Sequence, residues 1–129
     1  MSSPIRAEDV EAAAVLLHDL LDPTPLQPSA RHSTATGAHV LLKREDLQPV
    51  RSYKLRGAYT LIARLSPEQR AKGVVAASAG NHAQGVAYAC ARLGVQARIY
   101  LPRTTPRQKR DRVAALGGEH VEVDVGDRK

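Results

Sequence analysis

Phenylalanine and tryptophan are absent from this chain, and tyrosine occurs four times. Any core must therefore be built from Ala, Val and Leu, and there are few rings on which bases could stack. A single cysteine, Cys90, excludes an internal disulfide and reads as a small buried hydrophobe in a reducing compartment. No apolar run approaches transmembrane length, so no membrane partner is expected. The first helical segment carries Glu8, Asp9, Glu11 and Asp19, unlike a signal peptide, which points to a cytoplasmic protein. The five histidines and one cysteine make no metal-ligand spacing. Neither a Walker loop nor a dinucleotide glycine fingerprint occurs.

What is present is a chain of 129 residues, 43% hydrophobic, enough for one small core but not for two independent domains. Nineteen basic residues against 13 acidic give a formal charge of +6, which favours acidic ligands. The run Arg103, Arg107, Lys109, Arg110, Arg112 invites a nucleic-acid reading. It has no interleaved aromatics and its cations span more than one helix face. A solvated outer helix is the better reading, with no nucleic-acid partner.

In chain order, Val10, Ala13, Ala14, Leu17 and Leu20 predict an amphipathic helix over 7–21, stopped by Asp22-Pro23-Thr24-Pro25. A short helix near 30–35 and a strand over 39–43 follow, then a charged turn at Arg44-Glu45-Asp46. Leu55, Ala58, Tyr59, Ile62 and Leu65 share a helical face over 53–65, with Ser52 as the expected cap. Ser66-Pro67-Glu68 opens a helical turn. The apolar run 73–77 suits a buried strand, and 82–93 places Ala83, Val86, Ala87, Cys90 and Leu93 on one side of a helix. A strand over 96–101, a helix from Thr105-Pro106 to Leu116, and a strand over 119–125 complete the pattern. Strands alternating with helices predict an α/β fold with a parallel sheet and right-handed crossovers.

Two stretches carry chemistry. Ser78-Ala79-Gly80-Asn81 lies between a strand and a helix, where free backbone N–H groups, a hydroxyl and an amide favour a carboxylate or phosphate. A Ser/Asn turn also caps helices without any ligand. Gly85 adds weight: inside a helix it costs about 1 kcal/mol against Ala, a cost often accepted for close approach by another group. The second stretch is Ser52-Tyr53-Lys54. Lys54 falls in the first turn of its helix, where the dipole opposes positive charge and makes a neutral amine less costly. A neutral amine is what a Schiff-base lysine needs, although most lysines are solvated surface charges.

Lys43-Arg44-Glu45-Asp46-Leu47-Gln48-Pro49, Ser52-Tyr53-Lys54-Leu55-Arg56-Gly57-Ala58-Tyr59 and Ser78-Ala79-Gly80-Asn81-His82-Ala83-Gln84-Gly85 closely resemble the threonine dehydratases. Those are pyridoxal-phosphate (PLP) enzymes of the tryptophan-synthase-β-like fold, with helices on both faces of a parallel sheet. The likeness runs from Thr24-Pro25-Leu26 to the last strand. It implies that Lys54 holds the cofactor as a Schiff base and takes the Cα proton of an amino-acid substrate once released. It implies that Asn81 bonds the cofactor's ring hydroxyl, and that Ser78 and backbone N–H groups near Gly80, Asn81 and His82 grip the substrate carboxylate. The outcome would be dehydration of threonine or serine to a 2-oxo acid and ammonia, on the route to isoleucine, in a homo-oligomer when full length.

Related serine racemases carry a serine where Ala79 stands, so elimination is expected over racemisation. Tyr53 stands where many relatives have Phe. The family's glycine-rich phosphate loop and the residue facing the pyridine nitrogen have no counterpart; Gly117-Gly118, the one Gly-Gly pair, ends a helix. The resemblance places residues 1–66 in a large PLP domain and 67–129 in a small α/β domain, and the chain reads as an N-terminal fragment with little activity alone. Threonine synthase, a cysteine-synthase-like enzyme, or a non-catalytic basic module are the competing readings.

Overall fold

The structure, a computed structural model, describes residues 4–126. Helix α1 (Ala7–Leu17) opens with Glu8 and Asp9 in its first turn, and Asp9 Oδ2 accepts the Arg6 N–H at 2.9 Å. It ends four residues earlier than its periodicity suggests. Beyond it a tight turn, in which Leu20 and Leu21 both donate to the Leu17 carbonyl, brings Leu17 and Leu21 together into the core. Val10 is left 61% exposed, so only the far end of the helix packs.

Strand β1 (Leu26–Pro28), which no sequence pattern marked, pairs antiparallel with β2 (Leu41–Lys43) across helix α2 (Ala30–Thr36). A 3-10 turn at Glu45–Leu47 follows. Helix α3 (Lys54–Ala63) then begins with Tyr53, not Ser52, at its cap position. Arg51 adopts φ +54°, turning the chain so that Tyr53 is already helical and the Ser52 hydroxyl is buried without a partner.

Helix α4 (Pro67–Lys72) has a reciprocal cap: Ser66 Oγ accepts from the Gln69 N–H, and Gln69 Oε1 from the Ser66 N–H. Strand β3 (Val74–Ala77), helix α5 (Asn81–Leu93), strand β4 (Ala97–Pro102), helix α6 (Arg107–Gly117) and strand β5 (Val121–Gly126) form the parallel unit, in sheet order β3-β4-β5. Gly94, at φ +63°, ends α5 in the left-handed conformation that glycine accepts. Helix α6 starts one residue later than expected. Pro106 is extended and its carbonyl takes the Lys109 and Arg110 N–H groups, while Thr105 Oγ1 is buried without a cap bond.

Ala97, Ile99 and Leu101 of β4 point into the core beneath α5. Arg98, Tyr100 and Glu122 stand on the opposite side, where Arg98 and Glu122 pair at 2.7 Å. Strand β3 is less buried than its composition suggests: it is a sheet edge among the described residues, and Val75 is 73% exposed. The densest packing joins α3 to α5, through Leu55, Ala58 and Ile62 on one side and Ala83, Val86, Ala87 and Cys90 on the other. Each large side chain buried there contributes about 1.5–3 kcal/mol. The small residues of α5 let the helices lie close.

Candidate active site

Lys54 is the first residue of α3 and Asn81 the first of α5. A Cβ added to Gly85 would stand 3.1 Å from Lys54 C and Leu55 N, and 3.2 Å from Lys54 O. The opening turn of α3 is therefore pressed onto α5 at Gly85. Asn81 lies one turn earlier, about 6 Å along the axis. The structure thus sets the lysine-bearing turn about one helical turn from the amide-bearing one, and Asn81 shares a cleft with Val50 and Arg51, just ahead of Lys54. Lys54 itself is exposed, with Nζ 5.0 Å from the Tyr53 ring centroid, a cation–π placement that leaves the amine accessible.

Ser78 follows β3 and is anchored by its N–H to the Tyr100 carbonyl at 3.2 Å. Its Oγ accepts the Gly80 N–H at 3.2 Å, which leaves the hydroxyl proton free to point outward. Gly80 is the extended N-cap of α5, and no side chain caps that helix. The first N–H groups of a helix have no internal acceptor, so those of Asn81 and His82 remain available for an anion. Gly80's own N–H is engaged by Ser78 and supports the loop rather than a ligand. Asn81 and His82 are exposed, and Ser78, Ala79 and Gly80 are half-buried. The loop lies at the carboxyl end of its strand, where ligands bind in parallel α/β sheets. No cluster of metal-ligating side chains occurs among the described residues.

Two sets of residues escaped the sequence reading. The first holds the lysine helix from below: Arg56 donates twice to Glu45, at 2.8 Å each, Thr24 Oγ1 donates to Glu45 Oε1 at 2.6 Å, and Lys43 donates to the Thr24 carbonyl. The Arg56 guanidinium, with help from Thr24 and Lys43, holds the Glu45 carboxyl down at about 2. The charged run around Glu45 was visible, but a partner eleven residues away was not. The second set is Arg112, which belongs to the run expected to be solvated. It is half-buried, bonding Gln84 Oε1 at 2.9 Å and the Pro49 carbonyl at 3.1 Å, and so ties α6 to α5 and to the turn before Lys54.

The model of the pyridoxal-phosphate dependent enzyme family matches residues 17–129. The chain belongs to that family. Among curated proteins it is 58% identical over 128 residues to the biosynthetic L-threonine dehydratase IlvA of Mycobacterium tuberculosis, covering 97% of this chain and 30% of that one. It is 59% identical over 121 residues to its namesake in Corynebacterium glutamicum, covering 94% and 28%. Among solved structures, threonine deaminase isoform 2 of Solanum lycopersicum superposes with a TM-score of 0.78 at 40% identity, over 100% of this chain and 36% of that one. Maize serine racemase superposes with 0.85 at 32% identity, over 95% and 36%. The chain thus spans less than a third of the length of those curated relatives, and the fold is that of fold-type-II PLP enzymes.

Proposed function

We propose that this chain supplies the lysine-bearing part of a PLP-dependent dehydratase that converts L-threonine, or L-serine, to a 2-oxo acid and ammonia in isoleucine biosynthesis. The observation that supports the reading is the seating of the Lys54 backbone on Gly85, one helical turn along α5 from Asn81. The names of the relatives point the same way, and Ala79 favours elimination over racemisation because it offers no hydroxyl to act as an acid.

The residues present fit the cofactor. An exposed amine at the start of α3 and an exposed amide at the uncapped start of α5 are groups of the kinds that an aldehyde, a ring hydroxyl and an anion require. Lys54 would hold the cofactor covalently and Asn81 its ring hydroxyl. Bound PLP supplies the electron sink that stabilises negative charge at the substrate Cα. Ser78 Oγ–H and the N–H groups of Asn81 and His82 hold the substrate carboxylate, with Gly80 shaping the turn. Lys54 Nζ, once free, would take the Cα proton; loss of the β-hydroxyl as water and hydrolysis would then give the 2-oxo acid and ammonia. The division into a large-domain portion, 1–66, and a small-domain portion, 67–129, and assembly as a homo-oligomer belong to the same proposal. So does a cytoplasmic location; among the described residues no helix is long and apolar enough to cross a membrane.

The test is reduction with borohydride in the presence of PLP, followed by peptide mapping. Label concentrated on Lys54 is expected. Label spread over the surface lysines, or concentrated on one of them, would refute the assignment.

A further inference from the structure

We propose that the cleft between the turn before Lys54 and helix α6 binds a small dianionic oxyanion of the phosphate class. The cleft holds about 280 Å³ and is lined by Arg51, Lys109 and Arg112 together with the amides of Asn81, Gln84 and Gln108; among the described residues no carboxylate lines it. Its size falls below the roughly 300–1,000 Å³ of pockets that take drug-sized ligands, so the guest is small.

This cleft is built rather than merely basic. Arg112 is fixed by Gln84 Oε1 and the Pro49 carbonyl, which occupy Nε and Nη2 and leave Nη1 for a ligand. Gln84 is itself only 8% exposed, so the guanidinium is held by a buried side chain. Arg51 is the one described residue other than glycine with a positive φ, and such strain clusters at ligand sites. The strained turn sets Arg51 in the lining of the same cleft as Lys109. Three cations around one small space repel each other, and the acid nearby on α6, Asp111, pairs with Arg107 at 3.6 Å instead. A doubly charged oxyanion relieves that repulsion and matches the guanidinium fork. The amides supply the remaining donors.

The cleft shares Asn81 with the proposed cofactor site but is not lined by Lys54, and the test separates the two. Inorganic phosphate is titrated into the full chain at low ionic strength, followed by calorimetry and by ³¹P line width, with acetate as the singly charged comparator. Saturable phosphate binding is expected, tighter than acetate. Arg51→Gly removes the charge but keeps the backbone conformation available, and Lys109→Met keeps the apolar stem; each should weaken phosphate about tenfold or more. Arg107→Met, a cation outside the cleft, and Lys54→Ala should leave it unchanged. The proposal is overturned if the wild-type chain shows no saturable binding, if Arg51→Gly and Lys109→Met bind as tightly as wild type, or if Arg107→Met is equally impaired. Acetate binding more tightly than phosphate would overturn the phosphate assignment. Circular dichroism on each variant separates lost binding from lost fold, and two substitutions on different elements must agree.

Discussion

The carbonyl oxygen of Lys54 lies 3.2 Å from the point where a side chain on Gly85 would begin. Two effects of opposite sign meet at Gly85→Ala. Alanine recovers about 1 kcal/mol of helix propensity, whereas forcing a methyl group into packed atoms costs about 1–3 kcal/mol. The steric effect should prevail, because the atoms in the way are main chain of another helix and cannot rotate aside. The variant is expected to lose about 1 kcal/mol in urea unfolding and to show slower borohydride labelling of Lys54. An unchanged midpoint and labelling rate would contradict the contact.

Gly57 gives the contrary case. It is exposed inside α3, and a Cβ there would meet nothing within 4 Å. Gly57→Ala should therefore stabilise the chain by up to about 1 kcal/mol. A lowered midpoint would mean that some other group packs against this position.

The Glu45–Arg56 pair makes stability depend on pH. The folded-state pKa of Glu45 is depressed from 4.5 to about 2, first by the Arg56 hydrogen bonds, with Thr24 adding to it against the opposing effect of burial. A depressed carboxyl pKa contributes stability that is present above the unfolded value and is lost as pH falls through the folded one. The loss should fall between about pH 4.5 and 2. Arg56 is partly exposed, so screening reduces the contribution to on the order of 1–2 kcal/mol. Glu45→Gln should flatten that part of the pH–stability curve when unfolding is followed across it, and a curve of wild-type shape would remove Glu45 as its source.

Cys90 is fully buried, and burial pushes its thiol up to about 11. The thiolate is the reactive form. A disulfide reagent at neutral pH should therefore modify the native chain orders of magnitude more slowly than the unfolded one, a ratio read directly by absorbance. Comparable rates would show that α5 opens readily from the core.

Much of the local structure was legible in the sequence. The α5 stripe of Ala83, Val86, Ala87 and Cys90 and the alternation in β4 gave elements whose ends differ from the pattern by only a residue or so. The anion-favouring loop could be read because a strand, a Ser-Ala-Gly-Asn turn and a helix follow one another directly in the chain. Gly85 announced a close contact without saying with what. Strand β1 was not legible: Leu26-Gln27-Pro28 has no alternation of its own and is a strand only because β2 lies beside it. The caps expected at Ser52 and Thr105 failed for a related reason. Arg51 and Pro106 set backbone conformations that move each helix start by a residue and leave both hydroxyls buried.

By itself, the order of residues determined the helices and every strand but β1, the parallel α/β architecture, and the likeness to PLP enzymes, because periodicity and contiguous motifs act over a few neighbouring residues. Only the tertiary structure decided that Lys54 rests on Gly85, that Glu45 grips Arg56, and that Arg112 leaves the solvated face to join Gln84 and Pro49. Those contacts join residues 11 to 63 positions apart. They depend on how closely α3, α5 and α6 pack, which no local pattern encodes.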